Sequence, residues 1–391
     1  MSPSFRSPRR SAQWSGPASG IATAALALMI AISGGTPAGA TTGGELQHAV
    51  HALVGQKDGP PGIIVVVQHG AVQTVHRAGT SVVGQSVTPE TTDHIRVASI
   101  AKAYSGAVAL SLVADHTLSL SDTVGQWLPS LPQAWHPVTL AELLQHTSGI
   151  PDFSSNPAFG QAVTKNPDNP PSPEALLSYA KPDRMFNPGT EYHYSNSDNV
   201  IVALMVQAAT RHSYESELQM RVLGPLKLSQ TSLPQDSAIP PPFISGYDLD
   251  PPKPPTDVTN FFAAGWSWAS GGVVATPQDL THFIRAYVTG ATTSKAVHQI
   301  QFHFRHGESE PPGPGRNSAG LGVFRYRTSC GTVYGHTGNT LGYTNFAAAS
   351  ADGSRSVTVQ INAQITPKLN SAGWPALHRI YELGVCAALG H

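Results

Sequence analysis

The chain has little cysteine, almost no net charge and only one long apolar run, and each shortage removes a class of function. Two cysteines in 391 residues, Cys330 and Cys386, allow at most one disulfide, which excludes a scaffold stapled by several bridges. With 23 Lys+Arg against 24 Asp+Glu and no basic run, the chain has no net field to draw nucleic acid or an acidic membrane, and neither is expected as a partner. The 17 histidines are scattered. None forms a His-Glu-x-x-His pair or comparable ligand spacing, so neither a metal nor a cofactor is expected. No internal repeat is visible.

The one long apolar run lies at the amino terminus. Met1 to Ala40 carries Arg6, Arg9 and Arg10, then an apolar stretch from Ile21 to Ile32, then the small-residue triplet Ala38-Gly39-Ala40. This order reads as a signal peptide over 1–40, with 41–391 as a secreted, extracytoplasmic chain. Arg9-Arg10 leaves the export route open. The other apolar runs, Val385 to Leu389 included, are too short to span a bilayer, so no stable membrane anchor is expected.

Hydrophobic periodicity predicts a helix over Glu45 to Val54, then a hairpin of Ile63 to Gln68 and Val72 to Arg77 around His69-Gly70. From about 105 to 255, helices joined by proline-rich loops (167–173 and 240–255) predict a helical insertion. Beyond it, Gly320 to Arg327, Thr332 to His336, Tyr343 to Ala349 and Arg355 to Asn362 read as strands, the last two joined by Asp352-Gly353. A final helix is expected from Gly373 to Ala388. Strands at both chain ends with helices outside them predict an α+β fold: an antiparallel sheet flanked by terminal helices, plus an all-helical lobe.

Chemistry enters at Ser99-Ile100-Ala101-Lys102, the head of an apolar, proline-free run that continues to Asp115. A spacing of three places both side chains on one helix face, so a hydroxyl has an amine beside it. A serine is a poor nucleophile until something removes its proton, and a lysine kept neutral by burial can do so. The first helical turn adds unpaired N–H groups that favour developing negative charge. By itself the pattern also fits an ordinary amphipathic helix. Two further elements follow in order: Tyr194-Ser195-Asn196 after a turn-rich lead-in, and His336-Thr337-Gly338 between strand-like runs.

That ordered set resembles the penicillin-recognising serine hydrolases, being a variant of Ser-x-x-Lys, Ser-Asp-Asn and Lys-Thr-Gly. The stretches 143–151 and 270–280 support the likeness. The chain resembles a class-C-type member of the β-lactamase and DD-peptidase superfamily, with 329–338 most similar to secreted low-molecular-mass D-alanyl-D-alanine carboxypeptidases. The resemblance implies a β-lactamase/transpeptidase-like fold with the site between lobes, and a disulfide between Cys330 and Cys386. The alternative is two unpaired buried thiols.

It also implies roles. Ser99 attacks a carbonyl and forms an acyl-enzyme, with its own N–H and that of Asn339 as the oxyanion hole. Lys102 and Tyr194 share the proton, and sequence leaves open which is the base. Asn196 orients lysine and substrate. His336 supplies a donor where many relatives have lysine, with Thr337 and Gly338 beside it, and Trp268 and Phe159 are candidates for the pocket wall or for ordinary packing. Glu174 is excluded as a deacylating glutamate because it precedes Tyr194 and makes a good helix start. Without such a residue, β-lactams are expected as slow-leaving covalent inhibitors.

One departure bears on substrate. Phe324 falls where the carboxypeptidases carry an arginine that clamps a terminal carboxylate, and a phenyl ring cannot make that pair. Arg325 and Arg327 lie on the opposite strand face by alternation. The first expectation is therefore D-alanyl-D-alanine carboxypeptidase action on peptidoglycan stem peptides. The rival is an esterase or D-amino-acid amidase/aminopeptidase acting on a small ester or amide, and a non-turnover β-lactam sensor comes third.

Overall fold

The structure is a computed structural model and describes residues 38–391. The expected leader, 1–40, lies outside the described residues except for Ala38 to Ala40, which open the first helix. That helix, α1, spans Ala38–Val54. It starts a full seven residues before the expected Glu45, although Ala38–Gly44 carries three glycines, which disfavour a helix.

Strands β1 (Gly62–His69) and β2 (Val72–Gly79) form the hairpin. Helices α2 (Ala101–Ala114), α3 (Asn196–Thr210) and α4 (Pro277–Val288) follow. Then come β3 (Arg316–Ala319), β4 (Phe324–Thr328), β5 (Gly331–Thr340), β6 (Tyr343–Ala349), β7 (Arg355–Ile361) and the last helix, α5 (Trp374–Leu389). The seven strands make one antiparallel sheet in the order β2-β1-β7-β6-β5-β4-β3. The expected single strand over Gly320 to Arg327 is a correction. Gly320 N–H bonds to Val323 O at 2.8 Å and Gly322 has φ +66°, so the first half of the expected strand is a tight turn that joins β3, which lies before it, to β4.

Both faces of the sheet are covered, so its central strands read as continuous apolar runs rather than alternating ones. In β1, Ile63, Val65 and Val67 pack with Leu46, Val50, Leu377 and Tyr381 beneath the terminal helices. Ile64 and Val66 face the other way, toward Ile95, Ile244 and Tyr343. Each such side chain removed from water contributes roughly 1.5–3 kcal/mol. Cys330, in the β4–β5 turn, is bonded to Cys386 of α5 across 56 residues. Closing that loop stabilises the fold by about 4 kcal/mol on the chain-entropy view.

The span from 105 to 255 carries most of α2, all of α3 and several shorter helices, together with the two-residue strands Thr231–Ser232 and Tyr247–Asp248. Its core is α2 against α3, with Tyr104, Val108, Leu112, Val202 and Val206 fully buried. β5 passes close to the Ser99 turn. A Cβ on Gly338 would lie 2.2 Å from the carbonyl oxygen of Val97, so only glycine lets the strand approach the nucleophile this closely.

Candidate active site

Ser99 sits in a short 3-10 turn, Ala98–Ile100, that runs directly into α2. Lys102 lies in the first turn of α2, and its side chain is almost wholly buried. Its Nζ is 3.1 Å from Ser99 Oγ, 2.6 Å from Asn196 Oδ1 and 2.7 Å from Ser270 O. The amide of Asn196 is fixed from its other end, where Nδ2 donates to Asp152 Oδ2 and Ser154 Oγ, both at 2.9 Å. Asn196 Oδ1 and Ser270 O can only accept. Two N–H bonds of Lys102 are therefore committed, and in the neutral amine the third position, facing Ser99, is a lone pair.

Burial pushes the Lys102 ammonium down from 10.5 to about 7, against the opposing pull of Asp152, Glu310 and Asp198. Tyr194 moves the other way. Its ring lies under Lys102 Nζ, 5.0 Å to the centroid, and burial raises its phenol well above 10, only partly offset by Ser99. Near neutrality the pair is thus an amine that can accept a proton and a phenol that holds one, an arrangement that favours Lys102 over Tyr194 as the proton acceptor. The Tyr194 hydroxyl is buried near enough to Ser99 to be eased by it, but it makes no well-aligned hydrogen bond.

Behind Tyr194 stands a group that the motifs did not flag. The His146 ring lies 4.5 Å from that of Tyr194, and its Nδ1 is 2.8 Å from Asp198 Oδ2. Ser148 Oγ donates to the other carboxyl oxygen at 2.6 Å. Burial lowers His146 to about 3 and raises Asp198 well above the usual carboxylate range. We read them as a neutral pair sharing one proton. Asp198 is two residues past Asn196, so the pair ties the 143–151 loop to the start of α3. Ala98, His146 and Trp268 all hold positive φ, at 50°, 55° and 39°. Such backbone is uncommon outside glycine and gathers at functional sites.

Two arms of one cleft meet at Ser99, Asn196 and Asn339. The first, about 300 Å³, is walled by Phe153, Phe159, Phe261, Phe262, Trp266 and Leu341. The second, about 420 Å³, is lined by Tyr194, Glu308, Glu310, Pro311, Thr366 and Lys368. Asn339 stands at the junction with Ser99, its side chain held by Thr344 and Gln364. Phe159 walls the aromatic arm. Trp268 does not: it is buried, with Nε1 donating to Glu215 Oε1 at 2.7 Å, and Trp266 takes the wall position two residues earlier.

His336 does not act as the expected donor. Its ring is buried and its Nδ1–H goes to Thr337 O at 2.5 Å. Burial lowers it to about 3, so the neutral ring keeps only the Nε2 lone pair. Thr337 Oγ1 likewise donates to Pro311 O at 2.7 Å. These two residues brace the strand. Phe324 is buried against His336, ring centroids 5.0 Å apart. Arg325 and Arg327 line a separate hollow on the opposite face, and among the described residues lining either arm there is no guanidinium. Glu174 lies exposed in a short helix capped by Ser172, away from both arms. Among the described residues, no group of three or more His, Cys, Asp and Glu side chains is placed to hold a metal, and no helix is long and apolar enough to cross a membrane.

A buried amine and a phenol converging on one serine, between an antiparallel sheet and a helical lobe, define a serine acyl-transfer enzyme. The Beta-lactamase family profile matches residues 46–382, and the chain belongs to that family of serine hydrolases, with its β-lactamase/transpeptidase fold. Among solved structures it is similar to a D-stereospecific amidohydrolase from Streptomyces sp., at 28% identity and TM-score 0.75, covering 86% of this chain and 98% of that one. A D-amino acid amidase from Ochrobactrum anthropi SV3 shares the fold at 19% identity and TM-score 0.74, covering 87% and 98%. Among curated relatives, Protein flp of Staphylococcus aureus (strain N315) is 25% identical over 323 residues, taking in 80% of this chain. The chain spans 62% of that relative's length.

Proposed function

We propose that the protein hydrolyses amides of amino-terminal D-residues with a free α-ammonium and an apolar side chain, as a D-amino-acid amidase or aminopeptidase. The observation that carries this reading is the second arm: Glu308 and Glu310 line it beside the nucleophile, Lys368 is its one other charged residue, and no guanidinium is present. Such an arm attracts an ammonium and repels the terminal carboxylate that a carboxypeptidase must hold. The aromatic arm suits the side chain. The D preference rests on the likeness to the Streptomyces amidohydrolase.

In this scheme neutral Lys102 takes the Ser99 proton as Oγ attacks the carbonyl, and the oxyanion lies between the N–H groups of Ser99 and Asn339. Tyr194 gives its proton to the leaving amine and recovers one from Lys102. Water then attacks the ester carbonyl of the acyl-enzyme, its proton passing back by the same route, and Ser99 is released. We also propose an extracytoplasmic location, on the strength of the leader pattern in 1–40, and covalent reaction of Ser99 with β-lactams, on the strength of the family.

The test is a substrate panel: D-phenylalanine amide, its L-enantiomer, its N-acetyl derivative and diacyl-Lys-D-Ala-D-Ala. Release of ammonia from the free D-amide, slowed by N-acetylation, is expected. Faster release of D-alanine from the diacyl tripeptide would instead return the protein to the carboxypeptidases, with Lys368 as the carboxylate partner.

A further inference from the structure

The sheet edge farthest from β2 carries a concentration of positive charge that the chemistry at Ser99 does not use. β3 and β4 pair in a register that sets Arg316 directly opposite Arg327, and Ser318 opposite Arg325. Residues opposite one another share a face, so three guanidiniums crowd one side of the edge. Like charges directly opposite on neighbouring strands destabilise a sheet. No ion pair offsets them here: among the described residues none of the three is in a salt bridge.

These arginines surround a hollow of about 590 Å³, lined also by His306, Gly307, Glu308, Asn317 and Ser318. Arg325 is held in place: its guanidinium lies over the Phe304 ring, 4.6 Å to the centroid, and Nη2 donates to Ser318 Oγ at 3.3 Å. Its Nε is buried with no partner. Glu308 is the one acidic side chain in the lining, and it also lines the second arm of the catalytic cleft. Edge strands do carry charge to discourage pairing with other chains. That purpose does not call for three unpaired guanidiniums around a concavity, one of them stacked and oriented.

We infer that this hollow is an anion-binding site for a ligand bearing adjacent phosphate groups, whose oxygens match the forked donors of Arg316, Arg325 and Arg327. The site is separate from Ser99 and does not depend on the reading of the cleft. Phosphates bound there neutralise the cross-strand repulsion, so ligand and fold stabilise each other.

Titration calorimetry of the full chain at low ionic strength tests this, with pyrophosphate, orthophosphate and tricarballylate as probes. Pyrophosphate is expected to bind more tightly than either of the others, and R316Q/R327Q to weaken it by about tenfold or more. Thermal melting separates binding from misfolding. Without ligand the double variant should melt at or above the wild-type temperature, since a repulsion has been removed, and pyrophosphate should raise the melting temperature of wild type alone. Absence of pyrophosphate binding, or binding unchanged in the double variant, overturns the site. Tricarballylate binding as tightly as pyrophosphate overturns the phosphate assignment.

Discussion

The two arms of the cleft share a serine and little else. One is walled by aromatic side chains from the 153–163 and 261–266 segments, the other by carboxylates and prolines from 308–312 and by Lys368. Aromatic surface offers area and shape, and selects apolar groups by size. The acidic arm offers a sign of charge, which rejects a wrong substrate more sharply than shape does. On the proposed reading, chemistry at the junction is common to the family, and preference is set by residues remote from the Ser-x-x-Lys, Tyr-x-Asn and His-Thr-Gly elements.

The largest effect should come from removing what both arms share. Ser99→Ala and Lys102→Met are each expected to lower kcat by roughly a thousandfold or more on every substrate of the panel, because nucleophile and base act as a unit. Ser99→Ala should also abolish labelling by fluorescent penicillin on a gel. Labelling that persists in this variant would show that another residue is the nucleophile.

Next in size is a change confined to the acidic arm. Glu310→Gln with Glu308→Gln should raise KM for D-phenylalanine amide by about tenfold, the loss of a charge-assisted contact, and leave the N-acetyl derivative nearly unchanged. The complementary change is Phe159→Ala, which should slow D-phenylalanine amide more than D-alanine amide. Equal effects of both variants on both substrates would mean that the arms do not divide the substrate as described.

Behind the junction, Asp198→Asn should lower kcat by about tenfold with little change in KM, because the amide keeps the shape but not the shared proton that fixes His146 under Tyr194. The readout that separates positioning from folding is the acylation rate by penicillin, which needs no substrate pocket beyond the junction. A melting temperature near that of wild type together with a slowed acylation is the expected signature, whereas parallel loss of both would mean that the pair serves folding alone.

The sequence made the cluster of Ser99, Lys102 and Tyr194 legible because their order along the chain is specific, and the fold because β1, β6 and β7 are continuous apolar runs bounded by turn residues. What escaped it depended on three-dimensional approach. His146 and Asp198 are 52 residues apart and no local pattern joins them. Trp266 and Trp268 are indistinguishable by type and spacing, and only the contact of Trp268 with Glu215 decides which one turns away from the cleft. The acidic arm comes from Glu308 and Glu310, which belong to none of the sequence motifs. His336 looked like a donor because its motif partner in relatives is a cation, but Nδ1–H bonding to the next carbonyl cannot be seen in a string of letters. Phe324 was the exception, a single residue whose type already argued against a carboxylate clamp.

The smallest predicted effect concerns pH, and it bears on both arms through Lys102. Its folded value is about 7 and its unfolded value 10.5, so between them the unfolded chain binds the extra proton and stability rises with pH. The penalty of burying the ammonium is full below 7 and gone above 10.5. Activity needs the neutral amine, so kcat should also rise through about pH 7 and then level. The melting temperature of wild type minus that of Lys102→Met should therefore climb between pH 7 and pH 10, as a drift of a few degrees. A flat difference would mean that Lys102 stays charged across the range, and the proton from Ser99 would then have to leave through Tyr194.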